Sequence, residues 1–149
     1  MHSKLNDFGA YHKLAYGNLL ATKITAALAT LDAVEYESAS INRDGYQSAT
    51  VGLMYSATLT CGVTEPLKAT LSISDSEAGS TWTTYAALLS SVAIASATGT
   101  GVYAVNVDLG SYSKYVKFKY KPDLMKTGTD TCITGFVVDL GGPTVLPAT

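Results

Sequence analysis

The chain has 149 residues and a formal net charge of -2. That is enough for one domain with a substantial core, without the basic excess of a nucleic-acid binder. Charged residues make up 15% of it, against roughly 25% in an ordinary soluble domain. No apolar run reaches the ~18 residues a membrane span needs.

Residues 1–13 are mixed and polar, contain both histidines (His2 and His12) and read as an arm with little intrinsic structure. They show no basic region leading into an apolar core, so no secretory signal is visible. Residues 14–31 are ambiguous. Leu20, Ile24, Leu28 and Leu31 recur at helical spacing, and Asn18 can cap a helix. Thr22, Thr25 and Thr30 are β-branched, however, and charge is sparse, which fits an extended arm lying along a neighbour. The expectation is a helix or arm over 1–31, followed by a sandwich domain over 32–149.

From Val34 onward the period is two. Val34 to Ser38 alternates, Asn42-Arg43-Asp44-Gly45 is a turn, and Val51, Leu53, Tyr55, Ala57 and Leu59 share one parity of a long strand. Leu67, Ala69, Leu71 and Ile73 alternate with Lys68, Thr70, Ser72 and Ser74. Asp75 to Ser80 is a polar loop, and Thr81 to Tyr85 reads as a short strand with Trp82 as the main core anchor. Leu88 to Ala97 is apolar without a clear period, and Tyr103, Val105, Val107 and Leu109 alternate again. The cleanest strand follows. Val116, Phe118 and Tyr120 fall between Lys117, Lys119 and Lys121, giving one core face and one lysine face. Cys132 to Leu140 is the last strand. Seven or eight short strands separated by turns predict an all-β fold, a jelly-roll-like sandwich. The expected core is Val51, Leu53, Tyr55, Leu71, Ile73, Trp82, Val105, Val107, Val116, Phe118 and Val137.

Little in the chain carries reaction chemistry. A nucleophilic triad needs a positioned histidine, and both histidines lie in the first 12 residues, where nothing is expected to hold them. No phosphate-binding GxxxxGK[ST] loop is present. Glu35 and Glu37 share one face of a strand and read as solvent-facing charges rather than a glycosidase pair. Asp75-Ser76-Glu77-Ala78-Gly79 lacks the further acidic positions of a calcium loop, and no zinc spacing occurs. Cys61 and Cys132 are expected to be free thiols. Half the basic residues, Lys114, Lys117, Lys119, Lys121 and Lys126, lie in one segment. They form either a positive stripe for an acidic partner or an edge strand protected from aggregation, and the two are compatible.

Three segments resemble small β-sandwich structural proteins of tailed bacteriophages, of the capsid decoration or cement type. They are Asp44-Gly45-Tyr46 before the long strand, Ile73 to Ser76 leading through Gly79-Ser80 to Thr81-Trp82-Thr83, and Val107-Asp108-Leu109-Gly110 with Tyr115-Val116-Lys117, ending in Leu140-Gly141-Gly142-Pro143 and Leu146-Pro147. The resemblance covers roughly residues 42–147. It implies a virion structural protein without catalysis or cofactor, and does not say which capsid surface is bound. The leading expectation is a decoration protein made in the host bacterial cytoplasm that binds the major capsid protein on the outside of a phage shell; because a shell offers many identical sites, a dimer or trimer is expected. No nucleic-acid or membrane partner is expected. The competing class is a carbohydrate-binding β-sandwich, since tyrosines suit sugars as well as protein interfaces. On the shell-binding reading, whether residues 14–31 are helix or arm, the expected contacts with the shell or a sister subunit are Tyr11, Tyr16, Leu20, Ile24 and Leu28, with Lys117 and Lys119 adding attraction.

Overall fold

The computed structural model describes residues 12–19, 24–25, 35–60, 66–124 and 130–143. These residues form ten strands and, among them, no helix: β1 (His12–Leu19), β2 (Ile24–Thr25), β3 (Tyr36–Glu37), β4 (Ile41–Asn42), β5 (Tyr46–Thr58), β6 (Leu67–Ser76), β7 (Ala86–Ala95), β8 (Gly99–Asp108), β9 (Tyr115–Leu124) and β10 (Thr131–Pro143). One sheet has the order β1-β10-β5-β8, with β2 also on β10; the other has the order β3-β9-β6-β7, with β4 also on β9. Every pairing is antiparallel.

The topology is a jelly roll. If β1 with β2, and β3 with β4, are each taken as one interrupted strand, eight strands remain. The first pairs with the last, the second with the seventh, the third with the sixth and the fourth with the fifth. That nesting of pairs is a long hairpin wound into two facing sheets. The chain is all-β and a β-sandwich, as its alternation predicts.

Alternation also decides what is buried. Along β9, Val116, Phe118, Tyr120, Pro122 and Leu124 face in while the residues between them stay partly exposed. Leu67, Ala69, Leu71 and Ile73 of the neighbouring β6 are wholly buried opposite them. Fully burying such a side chain contributes about 1.5–3 kcal/mol. The two sheets meet at Tyr120 and Phe136, whose ring centroids are 5.8 Å apart. Tyr120 is tied across the sandwich by a 2.5 Å hydrogen bond to the Thr134 hydroxyl. Thr134 in turn donates to the Met54 carbonyl at 2.8 Å, so the Tyr120 hydroxyl is the donor in the first bond.

Several expectations need correction. Residues 14–19 are not helical: they belong to β1, which pairs with Gly135 to Gly141 of β10. The neighbouring strand supplies a ladder that local spacing could not reveal. Strand β1 lies before the expected division at residue 32 and is bonded to a strand beyond it. His12, expected to be unheld, places Nδ1 2.8 Å from Asp139 Oδ2. Val51, Leu53, Leu71, Ile73, Val107, Val116 and Phe118 are buried as expected, and Tyr55 and Val105 pack half-buried against them.

Val137 and Trp82 are not core. In β10 the residues Cys132, Thr134, Phe136, Val138 and Leu140 face in, which leaves Val137 outward on the parity of Asp139. Residues 81–85 form no strand and cross the outer side of the second sheet. Ser74, outward by parity, is buried beneath this loop, and its hydroxyl donates to the Thr83 carbonyl at 2.6 Å; Ser76, also buried, accepts from the Gly79 N–H at 2.9 Å. The lysine strand is not an edge, because β9 runs between β6 on one side and β3 and β4 on the other.

Candidate partner-binding surfaces

The lysines of β9 are on the outward face, as their period requires, but they are not bare charges. Lys117 Nζ lies 3.0 Å from Glu37 Oε1 and 4.6 Å from the centre of the Trp82 ring. Lys119 Nζ lies 3.4 Å from Glu35 Oε2 and 4.4 Å from the centre of the Tyr85 ring. Each ammonium thus has a carboxylate from the segment around β3 and an aromatic face from the 81–85 loop. The bond from Lys117 holds the Glu37 carboxyl below its ordinary range, and burial, with Glu37 and Glu35 nearby, pushes the Tyr85 phenol up to about 12. Half-exposed pairs of this kind contribute about 0.2–1 kcal/mol each, and the cation–ring contact a similar amount. What they do structurally is clamp the short β3 segment and the loop onto the sheet. Glu35 and Glu37 are exposed, as expected, and are also partners of this clamp.

The loop itself is stapled at its base. Thr83 donates its backbone N–H to the Asp75 carbonyl at 2.9 Å and its hydroxyl to the Asp75 carboxylate at 2.5 Å. The Ser113 N–H reaches the same carboxylate at 2.8 Å. The Thr83 bond, followed by that of Ser113, holds the Asp75 carboxyl below its usual range. The acidic loop is therefore a turn tied to its neighbours. Among the described residues no group of three His, Cys, Asp or Glu is placed to hold a metal.

At one end of the sandwich, Arg43 gathers three backbone carbonyls. Its guanidinium donates to Ser113 O at 3.0 Å, to Tyr46 O at 3.3 Å and to Tyr112 O. A planar fork of donors suits this arrangement and an ammonium does not. Arg43→Ala should lower stability by about 1–2 kcal/mol, and Arg43→Lys should recover little of it; urea unfolding of the three proteins checks both.

Of the other expected contacts, Tyr16 is half-buried, its ring 5.0 Å from that of Phe136. Its hydroxyl reaches the Glu37 carbonyl at a long 3.5 Å. It is therefore largely committed to its own sandwich. Ile24 lies in β2 opposite Cys132. Tyr11, Leu20 and Leu28 lie outside the described residues, as does Cys61.

Cys132 is a buried free thiol whose pKa is pushed by burial to about 11. A thiolate is the reactive form. In a Cys61→Ser background, a thiol reagent at about pH 8 should therefore leave Cys132 untouched until the protein unfolds. Rapid reaction of the native protein would contradict its burial.

One surface was missed. The outer face of the first sheet carries exposed apolar residues, Leu14 at 70%, Val102 at 63% and Ile133 at 43% exposure, beside the half-buried Met54 and Val137. Gly52 lies in a gap between two of them: a Cβ there would stand 3.1 Å from Val137 Cγ2 and 3.3 Å from Val102 Cγ1. Met54, the exception in its strand's alternation, and the apolar residues on both parities of β10 were the available signals.

No family model matches the chain, and no curated protein does. Solved structures do. The structure of infectious bursal disease virus Gt strain is 12% identical with a TM-score of 0.51; the match covers 91% of this chain and 34% of that one. The likeness is one of fold. The Gx strain of the same virus (14% identical, TM-score 0.48) and its VP2 subviral particle (12% identical, TM-score 0.49) match with the same coverages. The chain thus spans about a third of the length of these solved chains.

Proposed function

We propose that this protein is a virion structural component without catalysis, and specifically a decoration protein that binds the outside of a bacteriophage shell and stabilises it. The observation that carries the reading is the jelly-roll nesting of the strands, an architecture shared with a solved virus structure over 91% of this chain. The resemblance of its turn and strand motifs to phage decoration proteins supplies the finer assignment. The major capsid protein is the partner, and self-association multiplies the contacts on a shell of repeated sites. The protein is made in the cytoplasm of the host bacterium and resides on the virion.

Residues 1–31, with Tyr11, Leu20 and Leu28, supply the contact with the shell or a sister subunit. Lys117 and Lys119 contribute less to attraction than their number implies, because Glu37 and Glu35 offset them. The sugar-binding alternative is weaker on this geometry: an ammonium already covers one face of the Trp82 and Tyr85 rings, where a sugar would stack.

Co-sedimentation with empty shells built from the coat protein of the same virus tests the reading. The full chain should pellet with shells and raise their melting temperature. Deleting residues 1–11 leaves every described strand in place and should weaken binding about tenfold or more, a change of at least ~1.4 kcal/mol. Equal decoration by the shortened chain would remove those residues from the mechanism. Failure of the full chain to bind shells, with a positive glycan array, would favour the sugar-binding class.

A further inference from the structure

Among the described residues, β7 and β8 have no strand on their outer side; they are joined by Ser96, Ala97 and Thr98, so both edges lie on the same side of the sandwich. From Ala78 through Val107 the chain has no Asp, Glu, Lys, Arg or His. Exposed sheet edges recruit other strands, and proteins usually blunt them with charge, proline, a bulge or a very short strand. The other edges here are blunted. Strand β1 carries His12 and Lys13 and a register shift between Leu14 and Tyr16, and β3 and β4 are two residues each. Strand β7 is irregular, with three register shifts against β6 and Ser91 at φ 53°. Strand β8 has none of these devices. It pairs with β5 through ten consecutive rungs, from Gly99 opposite Ala57 to Asp108 opposite Ser48, without a shift or a proline. Its only charge is at its last residue.

We propose that β8 is a self-association edge, pairing antiparallel with β8 of a second copy of this chain across a two-fold axis. A regular unpaired ladder calls for an extended strand as its occupant. In a two-fold contact, residues near the axis meet their own copies, so any charge there is repelled by itself. A strand that is charge-free through its length and charged only at its end meets that condition, because an antiparallel register near its middle keeps the two Asp108 carboxylates at opposite ends. The paired edges would join the two four-stranded faces into one continuous sheet. They would also bring together the apolar outer faces at Val102 and Ala104, both exposed in the single chain. The inference goes beyond the shell-binding reading and does not depend on it.

Sedimentation velocity of the full chain without shells is the test. The wild type should be a dimer. Val102→Lys combined with Ala104→Lys places four like charges near the axis and should weaken the dimer about tenfold or more, with an unchanged circular dichroism spectrum, since both positions are exposed in the monomer. Leu14→Lys, equally exposed but on β1 at the far edge, should remain a dimer. Hydrogen exchange gives a second reading that needs no variant. Amides of β8 that do not face β5 should exchange slowly at high protein concentration and quickly on dilution. A wild type that stays monomeric at high concentration, or a double-lysine variant that dimerises like the wild type, would overturn the proposal. So would β8 amides protected only when a foreign protein is added.

Discussion

Replacing Phe136 by alanine should lower the unfolding free energy by about 3–5 kcal/mol. Domains of this size have roughly 5–15 kcal/mol in total, so the variant should be marginal at ordinary temperature. The ring is fully buried on β10, between β1 and β5. It contacts Tyr16 of the edge strand at 5.0 Å and Tyr120 of the opposite sheet at 5.8 Å. Its loss opens a cavity where the two sheets and the N-terminal strand all meet. Amide exchange should therefore accelerate in β1 more than in β6, which keeps its own contacts with β9. Urea unfolding measures the first effect and exchange by mass spectrometry the second. A loss below about 1 kcal/mol, small for a buried aromatic, would mean that the sheets do not meet at this ring.

Thr134→Val should cost about 2–3 kcal/mol although the side-chain volume barely changes. Valine removes the acceptor of the buried Tyr120 hydroxyl and the donor to the Met54 carbonyl at once. Tyr120→Phe should cost less, about 1 kcal/mol, because the Thr134 bond to Met54 survives it. In the double variant no phenol is left unpaired, so its cost should fall short of the sum by about 1 kcal/mol. The phenol also predicts a pH effect. Burial raises the Tyr120 pKa above its ordinary 10.0, so the folded state holds the phenolic proton more tightly than the unfolded chain does. The stability this gives is complete below the unfolded pKa and declines as the pH rises above it towards the folded value. Tyr120→Phe should flatten that alkaline decline, and an unchanged slope would assign it to other groups.

Residue alternation alone is enough to define the architecture class and most of the core. Strict alternation in β6 and β9 has one solution once a face must be buried: shifting β9 by one residue would put Lys117 and Lys119 inside and Phe118 and Tyr120 outside, and the same shift in β6 would bury Lys68 in place of Leu67 and Ala69. The parity of β10 was misread: its apolar residues occupy both parities, and Val137, expected in the core, faces out with Asp139, the single charge of the strand. Tertiary structure alone decided the rest. Residues 14–19 become a strand because β10 offers a ladder more than a hundred positions away, and no local pattern encodes a partner at that distance. Trp82 is drawn from the core to the surface because the 81–85 loop is stapled at Asp75 and its ring meets Lys117. The lysine stripe, a field of positive charge when read along one strand, is offset by Glu35 and Glu37 from a segment about eighty residues earlier. Periodicity reports which face of a strand is buried; it does not report what lies beside the strand or across from it, and pairing partners, edges and the neutralisation of charge are properties of those neighbours.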